Sequence, residues 1–214
     1  MRRLICKELR LTAHPTLFVF LFAGALLLVP GYPFSMVYVF GCMTPFFTLQ
    51  YARETNDIFY TACLPIRKRD VVKGKFLLTA VFQLTQILLS LPFALLRAFL
   101  YADGNPVGLE ANAAFYGFGL VTYALFDWIF LAQYFKTAYK VGVSFLKALP
   151  AAVLGIFFIE VLPHFPGLSA WLDSTAPAQQ LRQLPILLIG MLAFALLLPL
   201  AFRQAAARFE KVDL

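Results

Sequence analysis

Asp127 is the side chain best placed to do unusual chemistry. It lies in the apolar run 113–135, about three residues past its middle. An ionised group at the centre of a membrane helix costs roughly 2.5–3.5 kcal/mol. Asp127 must therefore face protein or water, or carry a proton. Two readings stay open: a pathway, gating or interface acid, and a buried carboxyl hydrogen-bonded to Tyr123, Tyr134 or Gln83. Gln83 and Gln86, in the run 76–99, read as hydrogen bonders between helices. Glu160 approaches the opposite end of the membrane, four residues before His164, and Arg97 reaches the same level. These groups make an outer latch or snorkel to headgroups, and snorkelling is the stronger reading.

The same inventory excludes several chemistries. Asp127 has no second intramembrane Asp, and His14 and His164 fall at opposite faces. Neither an intramembrane protease site nor a metal-ligand cluster follows from such a set. Cys6, Cys42 and Cys63 are read as free thiols, two in cytoplasmic segments and one in a span. No metal and no cofactor are expected on this chain.

The elements that hold these residues are membrane spans. The chain of 214 residues is 61% hydrophobic and 14% charged, against about 45–50% and 25% in soluble domains. Six apolar runs predict an all-α integral membrane protein, one domain over 1–214, with spans at about 15–30, 34–50, 76–99, 113–135, 148–162 and 185–202. Both ends are then cytoplasmic. Sixteen of the eighteen Lys and Arg fall on one side, and only Arg97 and Arg182 lie near the other. That asymmetry fixes the orientation. The net charge of +7 is spread over membrane flanks rather than one stripe, which favours anionic lipid over nucleic acid as its partner. Residues 1–14 form an interfacial helix, with Arg3, Lys7, Arg10 and His14 on one face. The outer segment 163–184, with Trp171, rides in the opposite interface.

The segment 51–75 carries the most information. Glu54 and Asp57 open a short amphipathic helix, where the dipole favours acids. Tyr51, Ile58, Phe59, Ala62 and Cys63 cluster on one side, and Leu64-Pro65 stops the helix. Arg67, Lys68 and Arg69 follow at headgroup level. An exposed apolar side on a stiff helix invites helix-in-groove docking; an ordinary interfacial loop is the other reading.

The run Glu54 … Leu64-Pro65-Ile66-Arg67-Lys68-Arg69-Asp70-Val71-Val72-Lys73-Gly74-Lys75 resembles the Leu-Pro motif of type-2 ABC transporter permeases. Lys75 matches the lysine that opens the third span, and Lys68 or Arg69 the basic residue after Leu-Pro. The start Met1-Arg2-Arg3-Leu4-Ile5-Cys6-Lys7-Glu8-Leu9 is similar to that family's amphipathic first helix. The resemblance implies a permease subunit of a bacterial exporter in the cytoplasmic membrane, with a hydrophobic or amphipathic substrate, peptides among them. It implies a second permease, identical or a sister chain. It also implies a separate P-loop ATPase that binds ATP and Mg, since no GxxxxGK[ST] stretch occurs here. In that reading Glu54, Asp57, Ile58, Phe59, Leu64 and Pro65 form the ATPase-coupling helix, and Arg67, Lys68, Arg69 and Lys75 a basic interface. A membrane subunit that binds a partner or confers immunity without transport is the alternative. A secondary transporter is disfavoured, because no repeated halves are visible.

Overall fold

Long apolar stretches with few internal breakers fold as helices, because a helix satisfies its own backbone in lipid. The computed structural model describes residues 7–8, 14–63, 66–101, 105 and 107–212, without the side chain of Ala62. Among them there is no strand. The helices are α1 (Pro15–Leu21), α2 (Met36–Glu54), α3 (Asp57–Ala62), α4 (Lys68–Leu100), α5 (Ala113–Tyr134), α6 (Val141–Val161), α7 (Ser169–Leu172) and α8 (Pro177–Phe209). Of residues 1–14, only Lys7, Glu8 and His14 are described.

Four helical segments are long and apolar enough to cross a membrane: α4, α5, α6 with its short continuation to His164, and α8. The expected span 15–30 is instead α1 followed by a 3-10 segment, Phe22–Leu28. Seven residues at 1.5 Å and seven at 2.0 Å reach about 25 Å, short of a hydrocarbon core of about 30 Å. α2 has 19 residues and is not among the four.

Helix ends differ from the apolar runs. α4 begins at Lys68, α6 at Val141 and α8 at Pro177, each seven or more residues before its expected span. Arg67 and Ala176 are extended, and Pro177 opens α8 where its missing N–H costs nothing. Each helix then runs on into its apolar stretch, even past prolines that remove a backbone donor. Pro45, Pro92, Pro150, Pro185 and Pro199 all lie inside helices.

α5 is the most enclosed of the four and packs against α6 and α8. Its crossing with α8 is made by glycines. A Cβ on Gly190 would sit 2.3 Å from the carbonyl oxygen of Gly117, and one on Gly117 2.6 Å from that of Ile186. The two backbones touch, as small residues permit inside a membrane.

The end away from the cation-rich flanks is stitched shut. Arg97 donates to both Glu110 oxygens at 3.4 Å and to the Leu27 carbonyl at 3.3 Å. Its guanidinium also stacks 4.4 Å over Phe34. Arg97 is 2% exposed, so the snorkelling reading is corrected: a buried acid and an aromatic face replace the headgroups. The segment 163–184 is tied to the helices. Glu110 N–H donates to Asp173 Oδ1 at 2.8 Å, and Asn112, which caps α5, donates to the Leu172 carbonyl at 2.6 Å. Gln183 donates to the carbonyls of Trp171, Leu172 and Ser174.

Candidate functional site

One face of α4 organises the interior. Val72, Lys75, Phe76, Thr79, Gln83, Gln86 and Ser90 recur at helical spacing, and all are buried. Lys75 is thereby aimed inward, while Lys73 and Arg69 point outward and are exposed.

At the cation-rich end Lys75 anchors an ionic cluster. Its Nζ lies 2.5 Å from Glu8 Oε2 and 2.8 Å from Asp57 Oδ2. Lys7 closes the ring, 2.6 Å from Asp57 Oδ1 and 3.1 Å from Glu8 Oε1. Lys7 also donates to Thr61 Oγ1 at 2.8 Å. Among the described residues two cations and two anions balance, which is what a buried charge set requires. Burial pushes the Asp57 carboxyl up. The Lys75 ammonium, with hydrogen bonds from Lys7 and Lys75, outweighs it and holds Asp57 below the usual carboxylate range. The cluster joins the N-terminal segment, α3 and the start of α4.

α3 is set off from α2 by Asn56, whose φ of 52° is left-handed. Asn tolerates that conformation better than most residues. Glu54 therefore closes α2 instead of opening the coupling helix. It is exposed and accepts from Gln50 at 2.9 Å. Asp57 opens α3 and is buried. Ile58 is 6% exposed and joins the core, whereas Phe59 and Tyr60 are 56% and 68% exposed. The expected docking face is corrected accordingly: Ile58 packs inward, and Phe59 and Tyr60 are the apolar groups offered to solvent. Leu64 and Pro65 lie outside the described residues. Behind α3 is a cavity of about 310 Å³ lined by Arg53, Asn56, Ile58, Phe59, Tyr134 and Tyr139, among others.

The basic residues divide. Arg67 is the exposed residue before α4. Lys68 donates to the Val212 carbonyl at 2.7 Å, and Arg69 lies 5.4 Å over Phe202. Lys75 is no surface cation at all.

Deeper in the membrane, Gln83 Nε2 donates to Asp127 Oδ1 at 3.1 Å and to the Gly41 carbonyl at 3.3 Å. Of the three partners proposed for Asp127, this is the one formed. Gln86 donates to the Val37 carbonyl and accepts from the Tyr123 hydroxyl, each at 2.9 Å. These amides tie α4 to α2 and α5. Glu160 stands apart. Its Oε1 accepts from Ser35 N–H at 3.4 Å, and His164 bonds to its backbone carbonyl instead of its carboxyl. Arg97 pairs with Glu110, so a Glu160–Arg97 latch is not what the outer end contains.

The family model described as ABC-2 family transporter protein matches residues 3–202. The chain belongs to the ABC-2 transporter family. It is accordingly a multi-pass membrane protein and a transport permease, not itself a catalyst. ABC-2 permeases generally work with an ATPase subunit. No curated protein and no solved structure matches.

Sequence reasoning missed Glu8 and Asp57 as partners of Lys75, Lys7 and Thr61 as further members of that cluster, and Glu110 as the partner of Arg97. The Lys7–Glu8 pair was visible at the start of the chain, but nothing local ties it to residues about fifty or more positions away.

Proposed function

We propose that this ABC-2 permease is the membrane-spanning subunit of an exporter in a bacterial cytoplasmic membrane. It crosses six times with both ends cytoplasmic, and α1 with its 3-10 extension and α2 form the first two crossings. It pairs with a second permease, identical or a sister chain. A separate P-loop ATPase, which binds ATP and Mg, docks on α3. The substrate is hydrophobic or amphipathic, peptides included.

The observation that carries this reading is the cluster Lys7–Glu8–Asp57–Lys75. It bolts α3 to α4, and the same face of α4 carries Gln83 and Gln86 to α2 and α5. A push on α3 is thus delivered to the helix core by charges and amides that do not slide freely. That is the linkage a hinge or shear motion driven from the cytoplasm needs. Phe59 and Tyr60 supply the contact to the ATPase.

The test is affinity purification of the tagged chain in mild detergent, with identification of bound chains and measurement of ATP hydrolysis. A co-purifying ATPase, lost in Phe59→Ala/Tyr60→Ala while the permease stays monodisperse, is the expected result. A chain that purifies alone across several detergents and lipids would favour a non-transporting membrane binder.

A further inference from the structure

The seam between α4 and α8 is not closed. On α8, Leu187, Met191, Phe194, Leu198 and Phe202 share one face at spacings of three and four. On α4, Lys73, Leu77, Leu84, Leu88 and Leu91 share another. A cavity of about 180 Å³ lies between Lys73, Phe76 and Leu77 on α4 and Leu198, Pro199 and Phe202 on α8. Further along the same seam, a second of about 400 Å³ lies between Leu84, Leu88 and Leu91 on α4 and Leu187, Met191 and Phe194 on α8. Lys73 and Leu91 are eighteen residues apart, so the line of the two cavities spans about 27 Å of α4. Its length suits an acyl chain, and its walls below Lys73 are apolar.

Its mouth is cationic. Lys73 lines the shorter cavity and is exposed. Arg69 is one turn away on the same face of α4 and is also exposed. Its guanidinium lies over Phe202, a wall of that cavity. Neither cation has an acidic partner among the described residues, and Asp70 beside them makes no ion pair. Lys75, on the opposite face of α4, is buried with two acids, so Arg69 and Lys73 are the cations that α4 offers at the crevice.

We propose that the α4/α8 seam is a seat for one anionic phospholipid, with its phosphate on Arg69 and Lys73 and an acyl chain in the crevice. Apolar walls alone would take any lipid; the paired cations at the mouth select charge. A basic residue near an anionic headgroup contributes roughly a five-fold preference, and two contribute roughly thirty-fold.

Native mass spectrometry of the detergent-purified chain, titrated with equal palmitoyl-oleoyl phosphatidylglycerol and phosphatidylcholine, tests this. One phosphatidylglycerol should be retained over phosphatidylcholine by roughly thirty-fold. Arg69→Gln/Lys73→Gln should abolish the preference, and Lys147→Gln, exposed on α6, should keep it. Leu198→Trp should expel the lipid with both cations intact. If that variant is not monodisperse, the Arg69/Lys73 pair, on exposed side chains, decides alone. Equal retention of the two lipids overturns the proposal, as does a preference that survives Arg69→Gln/Lys73→Gln. Displacement by inorganic phosphate alone overturns it too, because the crevice would then contribute nothing. So does a dimer lost on Leu198→Trp without lipid preference, which would place a second copy there.

Discussion

Replacing Lys75 by Met keeps the length of the side chain and removes its charge. In the intact cluster Glu8 and Asp57 are 0% and 6% exposed and share two ammonium groups. Without Lys75, the ammonium that two buried carboxylates keep among the described residues is Lys7, whose side chain is 20% exposed. Removing one partner of a buried ion pair costs about 3–5 kcal/mol. Lys7 still faces both acids, so the low end applies, about 3 kcal/mol. At about 2–4 °C per kcal/mol for a chain of this size, the midpoint falls by about 6–12 °C.

The assay is thermal unfolding in detergent, followed by fluorescence-detected size exclusion. Lys147→Met on exposed α6 is the control for loss of a surface cation. The decisive variant is Lys75→Met/Asp57→Asn. It leaves Glu8 against Lys7, one charge of each sign, and should recover at least half of the loss. That recovery is a coupling energy, readable from a double-mutant cycle. Lys75→Met no worse than Lys147→Met, or a double variant that merely adds the two single losses, would refute the reasoning.

The remaining predictions follow from other contacts. Because Asp57 is held below its ordinary range, its contribution to stability is complete above an unfolded value of about 3.9. It is lost as pH falls through the lower folded value; wild type should therefore lose a pH-dependent part of its midpoint below about pH 4 that Asp57→Asn lacks. Ile58→Asp buries a carboxylate in the core behind α3 and should lower the midpoint by several degrees, whereas Phe59→Ala should leave it unchanged; equal losses would return Ile58 to the surface. Gly190→Ala should cost about 1–3 kcal/mol, since its Cβ would stand 2.3 Å from the Gly117 carbonyl oxygen; an unchanged midpoint would show that α5 and α8 part freely.

Hydropathy made the helices legible and charge asymmetry suggested their orientation, but both speak of the lipid boundary and not of the backbone. That is why the runs began at 76, 148 and 185 while the helices begin at Lys68, Val141 and Pro177. The short helix after residue 56 was legible from its acids and apolar residues. Its face was not: six residues make under two turns, and the left-handed Asn56 resets the register. Lys75 shows the deeper limit. As one of sixteen cations on one side, it read as a flank charge, because the positive-inside rule weighs every lysine alike. Yet Lys75, Gln83 and Gln86 stand eight and eleven residues apart, within one helical face. A lysine on the face that also carries two intramembrane amides is directed at protein and must find acids there. The helical period held that information. The acids did not announce themselves, since Glu8 and Asp57 lie 67 and 18 residues away along the chain. The same face supplies the partner of Asp127. Gln83 is already aimed into the bundle by that period, and its amide N–H reaches the carboxyl that neither Tyr123 nor Tyr134 contacts. Gln83 Oε1 and Asp127 Oδ2 are buried without hydrogen-bond partners among the described residues. Asp127→Asn keeps an acceptor for Gln83 and adds a donor for Gln83 Oε1, so it should hold the midpoint within the equivalent of about 1 kcal/mol. Asp127→Leu strands the Gln83 amide and should cost about 1–3 kcal/mol. If Asn is as damaging as Leu, the carboxylate charge itself is required, and Asp127 belongs to the transport path and not to the packing of α4 on α5.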